Sequence, residues 1–326
     1  MNAADSINAT DRKLLQRLGI LAAALFVFTA AFATLQRTYA QKFYDTTGHA
    51  KWIWAQHRMS DNLPVAFFAA RDFDIPEKRV FAHLKILGDP EYTVFLNGSE
   101  VASRNVGEDR TLDFYDASAL VKTGRNRIVI AVRSPQGIGG LIASIDIAPE
   151  VANWVVTDGS WKIYRTWSPE ILVRDTPRVV SQSPAVIGEP PIGRWNYLAL
   201  APQELSAPFT QIQQPRESFE QIGYVPTIRT KSGVAVAGKE KERAKVFDFG
   251  PSGGHIRLTV PPKRLASDAI LLRFASTPEE LALAEWHLRR VVVAPGESVV
   301  VTPESYVFRY VMVFGEKDVR VEAVSR

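Results

Sequence analysis

Short runs in which apolar and polar residues alternate recur along most of the chain, and each run ends at a turn signal. In EYTVFLNGSEVASRN, residues 91–105, Val94 and Leu96 share one face, as the period of two in a β-strand requires. Asn97 and Gly98 come next, and both tolerate the positive φ that a type I′ turn needs. The stretch therefore predicts a β-hairpin that turns at Asn97-Gly98.

The same alternation fills two regions of the chain. Residues 51–167 contain runs such as RIVIAVR at 127–133 and LIASIDI at 141–147. Residues 246–326 contain further runs, of which YVFRYVMVFG at 306–315 is the longest apolar one. Many short strands separated by turn signals favour antiparallel sandwiches. We therefore expect an all-β fold with two antiparallel β-sandwich domains.

Two features interrupt this pattern. Residues 168–245 contain nine prolines, each of which removes a backbone donor and interrupts strand pairing. We expect these residues to form a long inter-domain segment with a few strands, wrapped on the surface rather than free. The sequence TPEE at 277–280 carries a capping box with Pro at the first helical position, which predicts one helix inside the second sandwich.

One uncharged apolar segment lies near the N-terminus. It runs from Leu18 to Leu35, close to the minimum length for a helix that crosses a bilayer. We expect an N-terminal tail at 1–17, a single transmembrane helix at 18–35 and a polar connector at 36–50. The alternative is a cleaved signal peptide with an A-x-A site at 31–33.

The flanking charges bear on orientation. The basic residues within 12–17 lie closer to the apolar segment than those within 37–51, which favours an N-terminus inside the cell. We therefore expect the protein in the cell inner membrane, with the bulk of the chain in the periplasm.

The apolar segment could pack against another helix, but it has no side chains that could ligate a cofactor. It contains no ionisable residue, so it provides no pigment ligand and no proton relay. Its alanines would let another helix pack closely, although a plain tether is the simpler explanation of these residues. The candidate packing residues are Ala23, Ala24, Ala30 and Ala31.

Composition narrows the function classes. The chain has no cysteine, which excludes disulfides and a cysteine nucleophile, and its five histidines show no metal-ligand spacing. Acids and bases are interspersed with a net charge of +4, so no nucleic-acid partner is expected. No phosphate-binding loop or nucleophile-elbow motif is present. We expect a protein without a cofactor and without catalytic activity.

Several motifs in the first sandwich resemble a known family. They are WIW at 52–54, AHLKILGDPEYTVFLNGSEVASRN at 82–105, YDASALVKTGRNRIVIAVRS at 115–134 and VTDGSWK at 156–162. In type and order they resemble the galactose-binding-like jelly-roll domains of bacterial alpha-L-rhamnosidase-type glycoside hydrolases.

A second set of motifs resembles the β-sandwich that follows in the same enzymes. It comprises FDFGPSGGHIRLTV at 247–260, AILLRFASTPEEL at 269–281 and SYVFRYVMVFG at 305–315. Those enzymes carry their catalytic carboxylates in a helical barrel after these sandwiches, whereas this sequence ends at Arg326. The resemblance therefore implies accessory domains without the catalytic barrel.

The tryptophans divide into two groups. Trp52, Trp54 and Trp161 match core positions of the family, so we expect them to pack between sheets. An aromatic side chain in a loop can instead stack on the apolar face of a sugar. The candidates for an exposed contact of this kind are Trp195, Trp167 and Arg194.

Two functional hypotheses remain open. The first is a non-catalytic, single-pass docking subunit of a larger membrane complex, with other membrane proteins and the lipid bilayer as its partners. The second is a membrane-anchored carbohydrate-binding protein.

Overall fold

The computed structural model describes residues 3–56, 62–76, 81–107, 111–147, 151–176, 178–192, 199–231, 234–262, 265–282 and 288–326, without the side chains of 3–13 and 227–239. Within these residues there are two α-helices, α1 (Ala3–Thr47) and α2 (Pro278–Leu281). The strands of the first part are β1 Trp52–Trp54, β2 Val65–Ile75, β3 His83–Asp89, β4 Glu91–Leu96, β5 Ser99–Asn105, β6 Thr111–Asp116, β7 Gly124–Ser134, β8 Gly140–Asp146, β9 Val155–Val156 and β10 Lys162–Tyr164. Those of the remainder are β11 Ser181–Gln182, β12 Ala185–Gly188, β13 Ala199–Gln203, β14 Gln211–Gln213, β15 Glu217–Lys231, β16 Val234–Thr259, β17 Asp268–Ala275, β18 Leu288–Val293, β19 Val299–Val301, β20 Tyr306–Phe314 and β21 Arg320–Ser325.

The first sandwich consists of two sheets. One has the order β12-β1-β8-β3-β6-β13 with β9 beside β8, and the other has the order β11-β10-β2-β7-β4-β5. The pairs are antiparallel except for β13 with β6. Trp52, Trp54 and Trp161 lie in the core between the sheets and are at most 2% exposed, which confirms their expected packing role.

The predicted hairpin is present at β4 and β5. Asn97 and Gly98 have φ values of 52° and 88°, as a turn with two positive-φ residues requires. The Asn97 side chain donates to the Leu120 carbonyl and the Asn126 side chain, and accepts from the Arg127 amide. The turn is thus fixed by its own backbone and by the neighbouring strand.

The second sandwich is built from one sheet that folds back on itself. Its order is β14-β21-β16-β20-β17-β18, with β15 and β19 also paired to β16. Its core contains Phe249, Phe308 and Leu272, all buried. The short helix α2 begins with the predicted capping box. The Thr277 side chain accepts from the Glu280 amide, and the Glu280 side chain accepts from the Thr277 amide. The two β-sandwiches and the all-β class agree with the sequence prediction.

Strands of the Pro-rich segment pair with strands of both sandwiches. Its strands β11 and β12 extend the two sheets of the first sandwich, and β13 adds a parallel edge strand. Its later strands β14 and β15 pair with β21 and β16 of the second sandwich. Strand pairing therefore continues through the segment, at places where its prolines are absent or lie on an edge.

Helix α1 extends beyond the predicted span. It begins at Ala3, within the residues expected to form a tail, and it continues through residues 36–47, which the sequence pattern assigned to a connector. Residues 36–47 contain no proline or glycine that would end the helix before Gly48. Gly48 has a φ of 62° and donates to the Tyr44 carbonyl at 2.7 Å, which ends the helix. The portion Leu14–Thr47 is long and apolar enough to cross a membrane.

The C-terminal end of α1 is docked on the first sandwich. Phe43, Thr47 and Ala50 are buried there. Lys85 of β3 is 4% exposed and donates to the Thr46 carbonyl at 2.5 Å. The same ammonium group lies 3.0 Å from the Asp146 carboxylate and 3.1 Å from the Asn153 side-chain oxygen. A buried cation at a helix C-terminus is favourable because the last carbonyls carry partial negative charge.

Candidate functional site in the inter-sandwich cleft

The two sandwiches meet at an apolar contact. The outer face of β2 and β7 contributes Phe68 and Ala131, and the end of β18 and its following turn contribute Val292 and Ala294. All four residues are buried. This contact brings one end of the second sandwich onto a sheet face of the first.

Charged side chains border the apolar contact. Arg133 lies 2.6 Å from Glu297 and 3.9 Å from Glu91. Arg289 pairs with Glu91 and lies 3.5 Å from Glu304. Burial raises the pKa of the Glu91 carboxyl, while the charges of Arg289 and Arg133 act in the opposite direction. All five residues come from different strands or turns, two in the first sandwich and three in the second, so the network ties the sandwiches together.

A cleft opens beside this network. Its volume is about 140 Å³, and its aromatic lining consists of Phe68 from β2, Phe95 from β4, Trp167 and Phe209. Polar groups face the same space, among them Thr93, Ser103, Glu100, Thr302 and Arg326. The cleft therefore combines aromatic surface with hydroxyl and charged groups.

Trp167 is held at the cleft by contacts to both sandwiches. Its ring lies 4.8 Å from that of Phe68, centroid to centroid, and its amide donates to the Pro295 carbonyl at 2.7 Å. Gly296 has a φ of 78°, and a Cβ there would lie 2.7 Å from the Trp167 carbonyl oxygen. A glycine at 296 is thus needed for the close approach that fixes Trp167.

An ion pair and an aromatic ring lie next to each other in the lining of the cleft. The Arg326 guanidinium lies 2.7 Å from the Glu100 carboxylate and 4.5 Å from the centre of the Phe209 ring. It also donates to the Ala207 carbonyl at 2.7 Å. Arg326 and Glu100 come from opposite sandwiches, so a shift between the sandwiches would change the shape of the cleft.

The structure describes only one of the three contact residues that the sequence suggested. Trp167 lies in the cleft and is half-buried, whereas Trp195 and Arg194 lie outside the described residues. Trp154, which the sequence pattern did not single out, is 46% exposed away from the cleft, and its indole donates to the Asp74 carbonyl. The role of Trp167 as a ligand contact stays a prediction.

The remaining lining residues carried no sequence signal. Phe95 looks like any strand residue, and Phe209 lies in a Pro-rich loop. Glu100 and Arg326 are 226 positions apart, and only the packing of the sandwiches joins them. The alanines 23, 24, 30 and 31 lie on the exposed surface of α1, and their packing against another helix stays a prediction.

No protein-family model matches the chain, and no curated protein matches it. A GH78-family rhamnosidase of Bacillus sp. GL1 is 14% identical with a TM-score of 0.52, and the match covers 85% of this chain and 55% of that one. An alpha-L-rhamnosidase of Dictyoglumus thermophilum is 17% identical with a TM-score of 0.48, and the match covers 85% and 36%. A lectin of Pleurotus ostreatus solved in complex with GalNAc is 15% identical with a TM-score of 0.40, and the match covers 85% and 77%.

This chain therefore spans 36% and 55% of the two rhamnosidases that it matches. Within the described residues it consists of β-sandwiches and two helices, so the matching part contains no helical barrel. At these identities the likeness concerns the fold alone. In fold, the chain resembles the β-sandwich part of an alpha-L-rhamnosidase, as its motifs predicted.

Proposed function

We propose that the protein is a non-catalytic, single-pass membrane protein that binds a carbohydrate in the cleft between its sandwiches. The main observation in support of this proposal is the composition of the cleft. An aromatic wall can stack on the apolar face of a sugar ring, while carboxylate, guanidinium and hydroxyl groups bond the sugar hydroxyls. Its 140 Å³ is below the roughly 300–1,000 Å³ of pockets for drug-sized ligands, which suits one sugar unit.

Helix α1 supports membrane anchoring. None of the residues in its most apolar stretch is buried, so this surface has no partner among the described residues. The same helix continues into the turn that docks on the first sandwich, which favours a retained anchor over a cleaved signal peptide. The docking subunit of a larger membrane complex, the other expectation from the sequence, has no specific observation in its favour and stays a prediction.

The binding proposal is tested by titration calorimetry of the full chain in detergent. The first sugars are L-rhamnose, because of the fold likeness to the Bacillus rhamnosidase, and D-galactose. We expect saturable binding that weakens about tenfold or more in Trp167→Ala, since aromatic contacts dominate small binding sites.

Trp154→Ala is the matched control, because it removes an exposed tryptophan outside the cleft. Glu100→Ala is a second test variant, because it removes a carboxylate from the cleft lining without removing the packing of Trp167 on Phe68. The proposal would be contradicted if Trp167→Ala, Trp154→Ala and Glu100→Ala bound the sugar with equal affinity. It would also be contradicted if neither sugar gave heat at millimolar concentration.

A further inference from the structure

A second concave site lies where α1 meets the first sandwich. This basal groove has a volume of about 360 Å³, and its lining includes Arg37, Gln41 and Tyr44 from the helix. These residues follow one another at spacings of four and three, so they share one face of α1. The groove is thus one stripe of the helix facing the base of the sandwich.

The opposite wall comes from the ends of two paired strands. β1 pairs with β12 so that Trp52 lies opposite Gly188. His49 precedes β1 and Glu189 follows β12, and the pairing therefore makes them neighbours. The His49 Nδ1 lies 3.8 Å from a Glu189 carboxylate oxygen, beyond hydrogen-bond distance, and both side chains are at least half exposed. The carboxylate is accessible to a second donor.

Helix geometry sets the height of the groove. The apolar stretch ends at Leu35, and Arg37 follows two residues later, about 3 Å farther along the helix axis. Tyr44 lies about 14 Å beyond Leu35 on the same scale. The headgroup region of one leaflet is roughly 5–8 Å thick, so in a membrane-inserted chain the groove begins at headgroup level.

The charges of the basal groove are ordered along this axis. A guanidinium stands at the membrane-proximal end, and a carboxylate with the Tyr44 ring beside His49 stands at the distal end. Phosphoethanolamine has the same order of charge, because its phosphate is next to the glycerol and its ammonium group is at the outer end. Arginine binds phosphate with paired donors, and an ammonium group is attracted by carboxylates and by aromatic faces.

We propose that the basal groove binds the headgroup of one phospholipid that carries a primary amine, with its phosphate on Arg37 and its ammonium group at Glu189. The proposal rests on the membrane anchor of the proposed function and is independent of the inter-sandwich cleft. Such a lipid would fix the first sandwich at a set height above the bilayer, in addition to the Lys85 contacts.

The test uses the full chain in nanodiscs of phosphatidylcholine mixed with either phosphatidylethanolamine or phosphatidylglycerol. Native mass spectrometry counts the lipids that stay bound after release. We expect one phosphatidylethanolamine retained, with about tenfold lower retention in Arg37→Gln and in Glu189→Gln, since each variant removes a charge-assisted bond.

Lys42→Gln is the matched control, because Lys42 is an exposed cation on the same part of α1 that does not line the groove. Its retention should equal that of the unmodified chain. Equal loss in Lys42→Gln, equal retention of phosphatidylcholine, or preferred retention of phosphatidylglycerol would each overturn the proposal. Extraction of the protein by alkaline carbonate would instead show that the anchor itself is wrong.

Discussion

Asp248 lies in β16 beside Arg309, whose guanidinium donates to its carboxylate at 3.0–3.4 Å. The carboxylate also accepts from the Gly250 amide at 2.7 Å. The hydrogen bonds from Arg309 hold the pKa of Asp248 below its ordinary value. A carboxyl with a lowered folded-state pKa adds stability above its ordinary pKa and loses it as the pH falls through the folded value.

Asp248→Asn should therefore lower the free energy of unfolding at pH 7 by about 1–2 kcal/mol, because the amide keeps an acceptor but not the charge. The difference from the unmodified chain should shrink as the pH falls below about 4. Denaturant titration of the full chain in detergent at pH 7 and pH 3 measures both. Glu220→Gln, which breaks an exposed pair with Arg243, serves as the control and should cost at most about 1 kcal/mol. A difference that grows on acidification would refute this account of Asp248.

At the scale of secondary-structure elements, the sequence predicted the features that depend on residues close together in the chain. The β4–β5 hairpin follows from alternation and from Asn97-Gly98, because both act within a few residues. The α2 start follows from its capping box for the same reason. The docked end of α1 could not be predicted in this way, because Lys85 is 39 positions from the Thr46 carbonyl that it binds.

The α1 docking leads to a prediction at this scale. Lys85→Met leaves the Asp146 carboxylate and the Thr46 carbonyl without their cation, so the loss of stability should be about 3–5 kcal/mol. Protease cleavage between 44 and 51 should become faster as the helix end detaches. Lys162→Met removes an exposed cation that pairs with Asp175 and should change neither readout by much. Unchanged cleavage in Lys85→Met would show that the lysine does not hold the helix end.

At the scale of the whole molecule, the sequence motifs predicted each sandwich but not their packing. The network of Arg133, Glu91, Arg289, Glu297 and Glu304 resembles any surface charge pattern until the sandwiches meet. The cleft forms only where the two sandwiches pack together. The sequence could therefore offer Trp167 as a tryptophan suited to a sugar contact, but it could not identify the residues that line the cleft with it.

This interface should make the sandwiches unfold together. Arg289→Met leaves Glu91 buried without its closest cation, and breaking a buried pair costs about 3–5 kcal/mol. We expect one calorimetric unfolding transition in the unmodified chain and two in this variant. A single transition at unchanged temperature in Arg289→Met would mean that the network does not couple the sandwiches.

The orientation of the chain is also a whole-molecule prediction. We expect residues 36–326 outside the cytoplasm, because the nearest cluster of basic residues precedes the apolar span. Alkaline phosphatase fused after Arg326 should be active, and neutralising Arg12, Lys13 and Arg17 should reduce that activity. An inactive fusion on a membrane-bound protein would reverse the orientation while keeping the anchor.

The central claim is that a sugar occupies the inter-sandwich cleft, and the indole N–H signals of the seven tryptophans test it most directly. Signals assigned by single Trp→Phe variants are followed by NMR during titration of the full chain with L-rhamnose and then D-galactose. The account predicts a saturable shift of the Trp167 signal and a stationary Trp154 signal, because one ring lines the cleft and the other lies outside it. A stationary Trp167 signal with both sugars, or a saturable shift confined to Trp154, would contradict it.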